Sequence, residues 1–209
     1  MEQTEATPVV PLEAGAGPEN PPCPACGEPL FGWIGTKAGL EGPVRRCESC
    51  GLAIVGEPGD AEAALRELDT LREEDSLRFE NRGSFACGLG GAGWTGLHPG
   101  SRHLFTVEAV RRLVAQRDQI VKSARWRPLA GLASTWQTLL NSVTFGHNVA
   151  VAALRDLPGM PAAKPWQRRI DALASIVLAI PALVIAIPVE LAGGLSRHGA
   201  VVSLKLELF

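Results

Sequence analysis

Four cysteines constrain this chain more than anything else in it: Cys23-Pro-Ala-Cys26, then twenty intervening residues, then Cys47-Glu-Ser-Cys50. A C-x2-C pair holds two thiolates on one tight turn. Gly27 and Gly51 follow the two pairs, and glycine lets such a turn close without a Cβ clash. Two such turns supply four sulfurs in a tetrahedron, which suits Zn²⁺ and matches zinc-ribbon spacing. Four protein ligands leave no position for water, so the expected zinc is structural, bound by Cys23, Cys26, Cys47 and Cys50. The alternative is a pair of disulfides. The opening residues lack a basic segment followed by an apolar one, so no secretory signal is expected and the cysteines fit a reducing cytosol. The fifth cysteine, Cys87 in Ser-Phe-Ala-Cys-Gly, reads as a small semi-buried residue rather than a reactive thiol.

A length of 209 residues allows one or two domains and a real core. The net charge of −2 gives no global field for nucleic acid. Arg45 and Arg46 beside Cys47 could touch phosphates, but they lack an aromatic platform, so a nucleic-acid partner is not expected. Mean hydropathy is +0.11, high for a soluble chain, and the excess lies near the C-terminus.

Residues 1–22 hold five prolines, four glutamates and no basic residue, and read as a disordered acidic leader. The ribbon occupies residues 23–56, with Phe31, Trp33, Ile34, Ile54 and Val55 as its expected core. Gly56-Glu57-Pro58-Gly59 is a linker to a second region, residues 60–209. There Asp60 caps a helix running to about Glu73. Ser76 to Glu80 alternates like a strand, and residues 81–103 read as a glycine-rich loop. Thr106 caps a helix carrying Val107, Val110, Leu113 and Val114 on one face. Gln119 to Trp126 reads as a strand. Leu132, Trp136, Leu139, Leu140 and Val143 mark an amphipathic helix. Val202, Leu204, Leu206 and Leu208 alternate with Ser203, Lys205 and Glu207, the pattern of a strand with one buried face.

Ala172 to Val189 carries no charge over 18 residues. As a helix it would be about 27 Å long, close to the minimum for a membrane span. Pro181, Pro188 and the following Glu190 oppose a span, and a span would strand the last β-strand without a partner. Three readings stay open: a span, a membrane-touching segment lying in the plane, and an ordinary buried helix. Arg155, Lys164, Arg168 and Arg169 precede the stretch and could meet anionic headgroups, which would place the chain at the inner face of the cell membrane.

Several segments together resemble a bacterial class I S-adenosylmethionine-dependent methyltransferase with an N-terminal zinc ribbon. They are Leu68-Asp69-Thr70-Leu71, Ser76-Leu77-Arg78-Phe79, Asn81, Gly93-Trp94-Thr95-Gly96-Leu97, Arg102-His103-Leu104-Phe105-Thr106 and Val110-Arg111-Arg112-Leu113. Residues 65–110 resemble the segment around that family's fifth strand, and Val201 to Phe209 resembles its last, antiparallel strand. The resemblance implies an α/β fold in which a zinc ribbon precedes a partial Rossmann-like C-terminal half with a long apolar helical segment. It points to Trp94 and His103 as substrate contacts. It also implies a gap: the ribbon ends near Val55 and the fifth-strand region starts near Asp60, so no segment is left for the cofactor-binding strands. S-adenosylmethionine is therefore not expected as a cofactor, no catalytic residue is assigned, and an accessory or binding role follows. A second methyltransferase-like subunit could supply the missing strands against an open edge beside Phe79 and Leu204. An active methyltransferase and a membrane-anchored nucleic-acid or protein-binding ribbon are the alternatives. Gly88-Leu-Gly90-Gly91-Ala-Gly93 fits G-x-G-x-x-G but lacks a strand directly before it and a helix after it, so it reads as a loop.

Overall fold

Two antiparallel sheets form from short segments that bury apolar side chains, with alternation clearest over Ser76–Glu80. The computed structural model describes residues 20–35, 40–74, 76–155, 161–162 and 164–208. The expected leader therefore falls largely outside the described residues; its end is in place, with Pro22 bridging to Pro29. The first sheet joins β1 (Leu30–Ile34), β2 (Val44–Cys47), β3 (Ala53–Val55) and β6 (His103–Leu104) in the order β1-β2-β3-β6. The second joins β4 (Arg72–Glu73), β5 (Ser76–Glu80), β7 (Gln119–Arg125) and β8 (Val201–Leu208) in the order β4-β5-β8-β7. Every strand pairing among the described residues is antiparallel. The fold is thus mixed α/β with two antiparallel sheets and a long apolar helix.

The first sheet takes its fourth strand from residues 103–104, beyond the expected ribbon boundary. Its core also differs from expectation. Leu30, Val44, Leu52 and Ala53 join Ile54 and Val55 inside, whereas Phe31 is 38% exposed. The register sets this: Leu30 opposes Cys47, so the sulfur face and the Leu30 face coincide and Phe31 points the other way.

Helix α1 (Ala61–Thr70) starts where Asp60 accepts from the Ala63 amide, and it ends three residues before the expected Glu73. Arg72 and Glu73 leave it to pair with β5 instead. Helix α3 (Val107–Ala115) is capped by Thr106 as the sequence indicates. Leu65 and Leu68 of α1, Val110 and Leu113 of α3, Leu77 and Phe79 of β5, and Val202 and Leu204 of β8 share one core with Cys23, Leu30, Cys47 and Leu52. Residues 23–54 and the remainder are consolidated by the same apolar cluster.

The open edge expected beside Phe79 and Leu204 is filled. Phe79 pairs with Val202 and Leu77 with Leu204, so β5 and β8 lie inside the sheet. Charged β4, two residues long, stands at the margin beyond β5, a common way of blunting an edge.

The glycine-rich loop expected over residues 81–103 instead holds a helix and a 3₁₀ turn at residues 85–93. Ser84 caps helix α2 (Phe85–Gly90) by accepting from the Cys87 amide, and Gly91–Gly93 continues as a 3₁₀ turn. Gly90 serves packing against helix α4 (Leu132–Asn141): a Cβ there would run into Thr138. Short helix α5 (Val149–Arg155) leads to α6 (Pro165–Leu195), which contains the whole 172–189 stretch.

Helix α4 corrects a second expectation. Its buried residues are Ser134, Thr135, Gln137, Thr138, Leu140 and Asn141, while Val143 just beyond it is 52% exposed. The polar side faces inward because it has partners there. Thr95 Oγ1 and Thr138 Oγ1 lie 2.8 Å apart, and Asn141 Nδ2 donates to Gly93 O and to Asn148 Oδ1. The Val151 amide donates to Gln137 Oε1. Leu132, Trp136 and Leu139 are left on the half-open side.

Candidate functional site

The candidate metal centre is assembled by two turns, residues 23–27 and residues 47–51. In the first, the Gly27 amide donates to Cys23 O at 2.7 Å; in the second, the Gly51 amide donates to Cys47 O at 3.1 Å. Both glycines have positive φ, +78° and +77°, the left-handed region in which a side chain would be strained. The four Sγ atoms all lie within 4.8 Å of one another. The closest cross-knuckle pairs are Cys23 with Cys50 at 3.6 Å and Cys26 with Cys47 at 3.4 Å. Those separations exceed a disulfide bond, so the disulfide alternative is overturned and the cysteines are thiols. A tetrahedral metal–thiolate site has metal–sulfur bonds of about 2.3 Å and hence sulfurs about 3.8 Å apart, which the quartet fits. The four cysteines sequence reasoning named are thus brought together and could hold a metal ion.

Crowding four thiols in a core has an electrostatic effect. Burial holds the Cys26 thiol above its ordinary range. The hydrogen bond with Cys23, and then burial, raises Cys50 further. Thiolates so close together need a cation among them, and protons compete with that cation for the sulfurs.

The centre is tied to the body by side chains that sequence reading did not single out for it. Thr106 Oγ1 donates to Cys50 O at 2.6 Å while accepting from the Ala109 amide, so one hydroxyl caps α3 and holds the second knuckle. Arg82 Nη1 donates to Gly51 O, and its guanidinium lies 4.5 Å above the Trp33 ring. Burial lowers the pKa of that guanidinium. Gln116 Nε2 donates to Pro24 O in the first knuckle. No sequence signal marked Arg82, because its partner Gly51 lies 31 residues away in sequence.

Trp94 and His103 line one cavity of about 500 Å³ together with Glu67, Arg78, Phe79 and Ser101. Trp94 is wholly buried in the second core cluster, and its ring blocks any Cβ at Gly96. His103 sits on β6, and its Nδ1 lies 2.6 Å from Glu67 Oε2 on α1. The carboxylate accepts, so Nδ1 carries the proton. His98 lies elsewhere on the same cavity, with Nε2 2.9 Å from Ser101 Oγ.

Helix α6 carries the other unusual chemistry. Ile176, Ile180 and Val184 are 75%, 73% and 63% exposed, which overturns the reading of an ordinary buried helix. Two carboxylates bracket the apolar stretch and are almost fully buried, Asp171 and Glu190. Asp171 accepts from the amides of Phe145 and Gly146 at 2.7 and 2.9 Å. Glu190 Oε1 accepts from Thr135 Oγ1 at 2.6 Å and from the Ala200 amide at 3.3 Å. Between them Trp136 Nε1 donates to Ala179 O. Of the basic residues expected to precede the stretch, Lys164, Arg168 and Arg169 are exposed, and the side chain of Arg155 lies outside the described residues. Arg45 and Arg46 are engaged locally, by Gly56 O and Glu48.

Comparison with known proteins gives no relative: no family model matches the chain, and no curated protein or solved structure is significantly similar to it.

Proposed function

We propose that this chain is an accessory or binding protein, stapled by a structural zinc ion, that lies on a membrane surface and contacts lipid or a lipid-linked substrate there. The observation that carries the reading is the bare apolar face of α6 on a helix tied down at both ends. Asp171 is bonded to the Phe145–Gly146 turn, and that segment reaches the body through Asn141, Asn148, Gly93 and Thr95. Glu190 is bonded to the residue that opens into β8. The two anchors are about 28 Å apart along the helix, yet both belong to the same body. A helix held this way lies in the plane of a membrane rather than across it. The inverted α4, polar side in, supports the same reading. Moving five side chains such as Leu173, Ile176, Val177, Ile180 and Val184 out of water contributes on the order of 5–10 kcal/mol before the costs of docking. Lys164, Arg168 and Arg169 at one end and Arg197 at the other would meet anionic headgroups, consistent with the inner face of the cell membrane.

The zinc assignment rests on four thiols in a tetrahedron, a donor set that zinc favours. Descent from a methyltransferase remains part of the proposal, supported by the antiparallel run of β8, as the resemblance requires of the last strand. On that reading the cavity beside Trp94 and His103 is where a substrate or partner group is met, and a second methyltransferase-like subunit would dock at a sheet margin. Methyl transfer by this chain alone is not proposed, because the sequence leaves no segment for a cofactor half.

Flotation of the metal-loaded full chain with vesicles tests the reading. The chain should rise with phosphatidylglycerol-containing vesicles and do so less well with phosphatidylcholine alone. Folded protein that stays in the bottom fraction with both would refute it. Calorimetric titration with S-adenosylhomocysteine should give no heat; micromolar binding would restore the enzyme reading.

A further inference from the structure

Beside the bare face of α6 lies an apolar groove. It is lined by Phe85, Gly88 and Leu89 of α2 and by Pro188, Val189 and Ala192 of α6, and its volume is about 550 Å³. Ser84 at its end is the only polar lining residue. Leu89 is 62% exposed and Phe85 41%, so the α2 wall of the groove offers apolar surface to its surroundings. Nothing of the described chain fills it.

A basic turn adjoins Phe85, one wall of the groove. The loop after α6 returns to the start of α2, where the Phe85 amide donates to His198 O at 3.1 Å. The His198 ring stacks on Phe85 with centroids 5.2 Å apart. Arg197 is exposed in the same turn and makes no ion pair among the described residues. No acidic residue lines the groove. An apolar trough with an unneutralised guanidinium in the adjoining turn matches one kind of molecule: a hydrocarbon chain attached to an anion.

We propose that this groove takes one acyl chain of an anionic phospholipid drawn from the bilayer, with the phosphate at Arg197 and His198. The proposal rests on the membrane-surface reading above and deepens it. Docking on a bilayer would be general to the α6 face, whereas the groove would select a single lipid by its chain and its charge. The volume is of the size used for small-ligand sites, and charge at the mouth with hydrocarbon in the trough divides the recognition.

The test uses the metal-loaded full chain, recovered from vesicles of mixed phosphatidylglycerol and phosphatidylcholine and analysed by native mass spectrometry. The wild type should retain one phosphatidylglycerol per chain. Gly88→Trp should fill the groove without disturbing the fold, because a Cβ at Gly88 meets nothing within 4 Å. It should cut lipid retention by about tenfold or more while floating like the wild type. Ala192→Trp blocks the opposite wall and should act alike, which guards against a single variant that fails to fold. Arg197→Glu should remove the preference for phosphatidylglycerol over phosphatidylcholine. A wild type that floats but retains no lipid overturns the groove and leaves the membrane reading standing, as does undiminished retention by both tryptophan variants. So does lipid-independent pairing of two chains through the groove. A wild type that does not float removes both.

Discussion

Thr106 does two jobs with one hydroxyl: it caps α3 and holds the carbonyl of Cys50. Replacing it by valine keeps the shape and removes both hydrogen bonds. Thr106→Val should therefore lower stability by about 1–2 kcal/mol, read as a shifted urea midpoint with an unchanged slope. Cys87 carries a different liability. Burial pushes its thiol up to about 11, from an ordinary value near 9. The folded state thus favours the protonated thiol, a contribution fully present below pH 9 and lost as pH rises through 11. Stability should fall over that window by about 2–3 kcal/mol. Urea midpoints measured from pH 8 to 11 should show the loss in the wild type and a flatter profile in Cys87→Ala. The clustering of Cys23, Cys26, Cys47 and Cys50 was legible residue by residue, since two C-x2-C-Gly turns make sense in few other ways. Arg82 and Glu67 were not, because each is defined by a partner 31 or 36 positions away.

At the scale of elements, apolar periodicity found α1, β5, α3, β7, α4 and β8 within a few residues, and the uncharged 172–189 stretch as the middle of the longer α6. It misjudged direction in α4. Periodicity reports that a helix has two unlike sides, and it assigns the apolar one to the core only if water is the solvent outside. Here Gln137, Thr138 and Asn141 meet polar partners within the body. The glycine-rich stretch misled in the opposite way: low helix propensity was overridden by a Ser84 cap and by the close approach of α2 to α4. The anchors of α6 supply the test at this scale. Asp171→Ala leaves the Phe145 and Gly146 amides without their acceptor in a buried site. The expected cost is about 2–4 kcal/mol, with faster hydrogen exchange at those two amides and earlier tryptic cleavage at Arg168 and Arg169.

For the whole molecule, the decisive fact is that ribbon, α1, α3, β5 and β8 share one core. Metal removal should therefore not melt the ribbon alone. Chelation should collapse far-UV circular dichroism and tryptophan fluorescence in one coincident transition. Because the crowded Cys26 and Cys50 thiols hold their protons tightly, the metal should also be lost more readily as pH falls. A body that keeps its native spectrum after the metal leaves would mean that the shared core is self-sufficient.

The sequence by itself determined the cysteine quartet, the order of most elements and the existence of one uncharged 18-residue stretch, because these depend on spacing and composition within short windows. Tertiary structure alone decided that β8 fills the edge beside β5, that the ribbon borrows a strand from His103–Leu104, and that α6 is bare on one side and anchored at both ends. The physical reason is range. Pairing, burial and carboxylate anchoring are settled between segments far apart in the chain, where a local pattern carries no information about its partner.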